Sequence, residues 1–148
     1  MFQTYSFRQL EALIAEKYRG RRCTVRAFGY PIALGDIAIS SSVETFQKTN
    51  NNVDFMLTGI YASDTAKVNL STCLLQIVDT GSNRRLFDNP VPVNAVATGP
   101  AGFTRSLPYP WLIPGNSNLQ ITVENLSGSA TYSGAELYLE GVSIYVYG

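Results

Sequence analysis

The chain is 148 residues long, 45% hydrophobic and only 15% charged, and its formal net charge is zero. This is the size of one domain, able to bury roughly two-thirds of the surface its unfolded chain exposes without a disulfide or metal staple. The absence of histidine removes the commonest metal ligand and the commonest neutral-pH general base. No apolar run reaches the roughly 18 residues of a membrane helix, and Glu11 and Glu16 interrupt any secretory-signal pattern, so neither a membrane nor export is expected.

Charge is unevenly placed. Residues 1–30 carry six basic residues against two acidic ones, and the remainder carries five against nine. A neutral surface covered by Ser, Thr, Asn, Gln and Tyr is poorly protected against association, so a homo-oligomer, dimer or trimer, is expected.

The first element reads as a short helix. Ser6 and Gln9 have the spacing of a capping box, Phe7, Leu10, Leu13, Ile14 and Tyr18 recur at helical spacing, and Gly20 ends the run. Three to four turns are marginal alone, so the apolar stripe must be covered by this protein's own sheets or by a partner. The stripe residues Phe7, Leu10, Ile14 and Tyr18 and the positive rim of Arg19, Arg21 and Arg22 are candidate protein-contact residues. Residues 1–22 thus form a basic helical arm on a domain spanning 23–148.

From Cys23 onward the apolar period changes to two. Strands are predicted over 23–28 and 36–43, the latter carrying a run of three serines, and the Asn-rich segment 47–52 suits a turn. Over 53–61, Val53, Phe55, Leu57 and Tyr61 share a face, and Gly59 marks a bulge or a close contact. Turns at 64–67 and 80–83 bracket a strand over 69–79 with Cys73, Leu75 and Ile77 in phase. Cys23 and Cys73 read as two buried thiols, with a disulfide open only if their strands pair.

Arg84 and Arg85 begin a further short element. Six of the seven prolines lie between Pro90 and Pro114, so this stretch must be loop or edge strand, relieved by short strands over 93–96 and 103–107. Trp111, next to Tyr109 and Pro110, is either a plug against the sandwich or an exposed anchor, and both aromatics are candidate contact residues. Leu119, Ile121 and Val123 then alternate with polar residues. In the last run Leu137 and Leu139 share one phase while Val142, Ile144 and Val146 take the other. Either a bulge or bend at Gly141 returns them to the core, or the strand is apolar on both sides and one side faces a neighbouring subunit. Together these runs define an all-β fold, an antiparallel β-sandwich, jelly-roll-like, with a short N-terminal helix.

Chemistry-bearing motifs are missing from this pattern. No phosphate-binding or dinucleotide loop and no calcium loop occurs. Glu136 and Glu140 share a strand face but lie more than about 10 Å apart, beyond the usual glycosidase geometries. Arg19, Arg21, Arg22 and Arg26 make a small basic footprint in a chain whose remainder is acidic, so direct nucleic-acid binding is not expected. No catalytic, cofactor or metal site is expected, and the protein reads as a non-enzyme. Tyr30-Pro31 and Tyr109-Pro110-Trp111 offer aromatic faces to a sugar, which keeps a carbohydrate- or receptor-binding module open as an alternative.

Three passages resemble a family. LQIVDTGSNRRLF from Leu75, LPYPWLIPGNSNLQITVENLS from Leu107 and AELYLEGVSIYVYG from Ala135 are similar to small structural proteins of tailed bacteriophages, some of them β-sandwich capsid decoration or cement proteins. The resemblance covers about half the chain and rests on packing and turn residues, so it transfers no functional residue. It implies a virion protein, made in the host cytoplasm, that repeats around a shell as a dimer or trimer without cofactor or enzymatic activity. The major capsid protein is then the expected partner for the arm, with packing on the home sandwich as the alternative.

Overall fold

The computed structural model describes residues 6–100 and 106–147. In chain order the elements are helix α1 (Phe7–Lys17), strands β1 (Arg22–Ile37), β2 (Ser42–Lys48), β3 (Asp54–Ser63), β4 (Cys73–Asp79), β5 (Arg84–Arg85) and β6 (Val91–Pro92), the helical turn α2 (Val93–Val96), and strands β7 (Ala97–Thr98), β8 (Ser106–Ile113), β9 (Asn118–Asn125) and β10 (Tyr132–Tyr147). One sheet runs β1-β10-β3, with β7 and β8 on the far side of β3; the other runs β2-β9-β4, with β5 and β6 beside β4. The chain passes from sheet to sheet at β1–β2, β2–β3, β3–β4, β6–β7, β8–β9 and β9–β10, which is the winding of a jelly roll. The pairings are antiparallel apart from the short parallel contact of Ile60 and Tyr61 with Ala97 and Thr98.

Period-two alternation builds the core between the sheets. Leu75 and Ile77 of β4 and Leu119, Ile121 and Val123 of β9 face Leu137 and Leu139 of β10 and Phe55 and Leu57 of β3, all fully or almost fully buried. Tyr30 packs edge-on against Phe28 and Phe55 with ring centroids 4.9 and 5.0 Å apart. Its hydroxyl accepts the Asn50 N–H at 3.0 Å, so the polar tip of a buried ring is satisfied.

Several local expectations change in three dimensions. The serine run is a turn, with Ser40 at φ +51°, so the strand expected over 36–43 is divided between the end of β1 and the start of β2. The strand expected from residue 69 starts at Cys73, because the Cys73 N–H closes a turn onto the Leu70 carbonyl at 3.1 Å. Residues 93–96 form a helical turn because the chain there crosses from β6 in one sheet to β7 in the other. Of the strand expected over 103–107, residues 103–105 lie outside the described residues, and Ser106 opens β8. That strand holds Pro108 and Pro110 at a sheet edge, where a missing N–H is tolerated. Both thiols are free: Cys73 is buried in β4, and burial pushes its pKa up to about 11, whereas Cys23 is only half-buried in β1.

The shared strand β10 resolves the phase conflict. Its ladder with β3 slips between Glu140 and Gly141 because Thr58 is inserted on β3, and Thr58 Oγ1 donates to the Glu140 carbonyl at 3.2 Å. The bulge therefore sits in β3 and reverses that strand's facing: Phe55 and Leu57 point into the core before it, Ile60 and Ala62 after it, so Tyr61 falls on the outer face. β10 itself keeps one phase. Val142, Ile144 and Val146 stay on the outer face, and the element that covers them is the protein's own helix rather than a neighbouring subunit. A Cβ on inward-facing Gly141 would come within 2.0 Å of the Met56 carbonyl oxygen on the neighbouring strand, which explains the glycine there.

Candidate functional site: the helix seat and the margin of strand β1

Helix α1 starts at the expected capping box, with the Gln9 N–H donating to Ser6 Oγ at 3.2 Å and the Ser6 N–H to Gln9 Oε1 at 2.8 Å. Leu10 and Ile14 are 7% and 3% exposed and form one cluster with Met56, Val142 and Ile144 on the outer face of the first sheet. The Tyr18 hydroxyl donates to Asp54 Oδ2 at the start of β3, and Asp54 Oδ1 accepts the Gly115 N–H at 2.8 Å. Burial first, and then this bond to a carboxylate, raise the Tyr18 pKa well above its ordinary value, so the phenol keeps its proton.

Of the two covers expected for the stripe, this arrangement shows the home sandwich over Leu10 and Ile14. Leu10 and Ile14 are consumed at home, because Met56, Val142 and Ile144 present a second apolar surface that water would otherwise meet. Tyr18 is half-buried, and only Phe7, 54% exposed, remains outside. Arg19, Arg21 and Arg22 are exposed at the corner where the chain turns from α1 into β1. Between them runs a groove of about 300 Å³, with Phe7, Ile14 and Ala15 on the helix side, Cys23 and Val25 on the strand side, and Glu11 and Arg21 at its rim.

Tyr109 and Trp111 are not part of this corner. They lie on β8, at the opposite side of the first sheet from β1. Trp111 is half-buried against the core, with the Arg84 guanidinium 5.8 Å from its ring centroid, while Tyr109 is 83% exposed. Glu136 and Glu140 stand exposed on β10 on either side of Tyr138, whose ring covers Gly29 of the neighbouring strand.

A second surface was not legible from periodicity. At one end of the sandwich, three separate connections expose Ile39, Val68 and Leu126, at 45%, 48% and 58%. Backbone bonds of 3.0 Å tie the Ser40 N–H to the Ser127 carbonyl and the Leu126 N–H to the Thr72 carbonyl. The Asn125 amide donates to the Ala38 and Ala130 carbonyls at 3.2 and 2.8 Å, so buried Asn125 staples two of these connections together. Single aliphatics inside polar turns carry no periodic signal, and only the hydrogen bonding of the loops gathers them at one pole.

No protein-family model and no curated protein matches the chain. Among solved structures, a chain from "Structure of infectious bursal disease virus Gx strain" is similar at 15% identity with a TM-score of 0.29. The match covers 87% of this chain and 32% of that one, so the chain spans about a third of the length of the chain it resembles.

Proposed function

We propose that the protein is a virion structural protein, a capsid decoration or cement subunit that stabilises a phage shell by protein contact. The reading is supported by the jelly-roll winding, a fold common among capsid domains though also used by lectins, and by the phage-like passages from Leu75, Leu107 and Ala135. The observation that carries it is the apolar pole, where Ile39, Val68 and Leu126 stand 45% to 58% exposed on hydrogen-bonded connections. Apolar side chains exposed together on hydrogen-bonded connections rich in Ser and Thr suit a permanent neighbour, whether a second copy in a dimer or trimer or the major capsid protein.

The test adds purified protein to shells that lack it. The unaltered chain is expected to saturate the shells, and Ile39→Asp with Leu126→Asp to lower occupancy at least about tenfold while leaving the melting curve in place. Full occupancy by the double variant would remove the pole from the contact, and absence of binding by the unaltered chain would remove the reading.

One observation favours a second reading, a carbohydrate- or receptor-binding module of a phage tail. Tyr109 is 83% exposed beside Pro110 on the edge strand β8. A glycan retained on an array by the unaltered chain and lost with Tyr109→Ala would replace the first reading by this one.

A further inference from the structure

The free margin of β1 has two halves of different construction. In the second half Pro31 lacks an N–H, the ladder with β10 shifts register between Ala33 and Gly35 and again between Gly35 and Ile37, and Gly35 sits at φ +76°. Proline and bulges are the devices that stop a further strand from adding to an edge. The first half lacks them. From Arg22 opposite Tyr147 to Gly29 opposite Glu140 the ladder is regular, and among the described residues β1 has no strand on its other side.

The side chains of this open half divide by period. Cys23 and Val25 turn to the helix side and line the groove, while Arg22 and Arg26 turn to the opposite side and stay exposed, Arg26 lying 5.5 Å from the Tyr145 ring centroid. Phe7 overhangs the groove from the helix and is still 54% exposed. A strand edge without proline or bulge, an apolar trough on one side and two guanidinium groups on the other describe a complementary strand.

We propose that the margin of β1 between Arg22 and Gly29 binds an extended segment of a partner protein in which apolar and acidic residues alternate, adding it to the first sheet as a further strand. The apolar side chains of the added strand fill the groove against Cys23, Val25 and Phe7, its carboxylates meet Arg22 and Arg26, and its backbone completes the ladder. A second copy of the chain fits this margin poorly, because antiparallel pairing of two β1 strands about Thr24 would set Arg22 opposite Arg26 twice, and like charges directly opposite are destabilising. The inference rests on the assembly role only for the source of the segment, a second virion protein.

The probe is a fluorescein-labelled peptide of alternating Glu and Val with blocked ends, titrated into the intact protein. It is expected to bind and to protect Cys23 from N-ethylmaleimide, Cys73 being buried. Ala15→Trp, which fills the trough from an exposed helix position, is expected to weaken binding at least about tenfold without moving the melting temperature. Arg22→Glu with Arg26→Glu is expected to weaken it about tenfold at low salt and much less at about 0.5 M salt. A peptide N-methylated at alternate residues, unable to complete the ladder, is expected not to bind.

Equal binding of the N-methylated peptide or of a Lys-Val peptide, indifference to Ala15→Trp, an unprotected Cys23, or affinity weaker than about 1 mM would each overturn the proposal. A dimer dissolved by Ala15→Trp would identify the occupant as a second copy and overturn it as well. These outcomes involve no shell, so they are separate from the occupancy test of the pole. Loss of peptide binding with shell occupancy intact removes strand addition alone.

Discussion

The two faces of strand β10 show what a covered surface requires. Its inward residues Leu137 and Leu139 meet a full opposing sheet and belong to a core assembled from nearly every strand. Its outward residues Val142 and Ile144 meet one helix of 11 residues, and the buried part of that cluster is Leu10, Ile14, Met56, Val142 and Ile144. The first face is held by long-range ladders on both sides, the second by one amphipathic stripe, one tyrosine clasp and a capping box. The core face is therefore expected to set global stability and the helix face local stability, in the sense that α1 opens before the sheets do.

The largest expected effect tests the core side of that contrast. Phe55→Ala removes a fully buried ring that packs on Tyr30 and should destabilise the protein by about 3–5 kcal/mol in urea unfolding. Ile14→Ala empties the centre of the helix seat. A helix able to settle closes part of the void, so a loss near the lower end for such truncations, about 2 kcal/mol, is expected, with hydrogen exchange quickened in α1 and unchanged in β9. Equal losses for the two substitutions, with uniform exchange, would show that helix and sheets unfold as one unit.

The clasp is expected to matter less. Tyr18→Phe removes the bond to Asp54 and should cost about 1 kcal/mol. It also carries a pH signature with a definite sign. Because the folded state holds the Tyr18 pKa above its ordinary value of about 10, the clasp contributes fully below that pH and is lost as pH rises through the folded value. The melting temperature of the unaltered protein should fall more steeply above pH about 10 than that of Tyr18→Phe, and parallel curves would assign the clasp no linked role. Smallest of all, Ser6→Ala should cost about 0.5–1 kcal/mol, detected as faster exchange in the first turn of α1.

The legible parts of the fold were those with a local signature. The capping box of Ser6 and Gln9 and the stripe of Leu10 and Ile14 are set by helical spacing, and the alternation of Leu119, Ile121 and Val123 by the pleat, so these two elements and the sandwich class follow from sequence order alone. The prolines at 108 and 110 likewise limited that stretch to loop or edge strand, because a residue without an N–H cannot serve a central ladder. Facing was less legible. Thr58 is unremarkable in sequence, yet as the inserted residue of a bulge it turns Ile60 inward and Tyr61 outward, and a bulge is defined by its partner strand.

What covers an apolar face was decided by the tertiary structure alone. Val142 and Ile144 required cover, Leu10 and Ile14 required cover, and nothing in either segment states that each is the other's solution; that depends on a helix lying more than a hundred residues away in sequence being folded back onto β10. The interaction surfaces have the same origin. Hydrophobic periodicity records which residues must leave water, whereas the groove beside Cys23 and the pole around Leu126 arise from what the packed elements leave uncovered, a property of the assembled shape that no single segment carries.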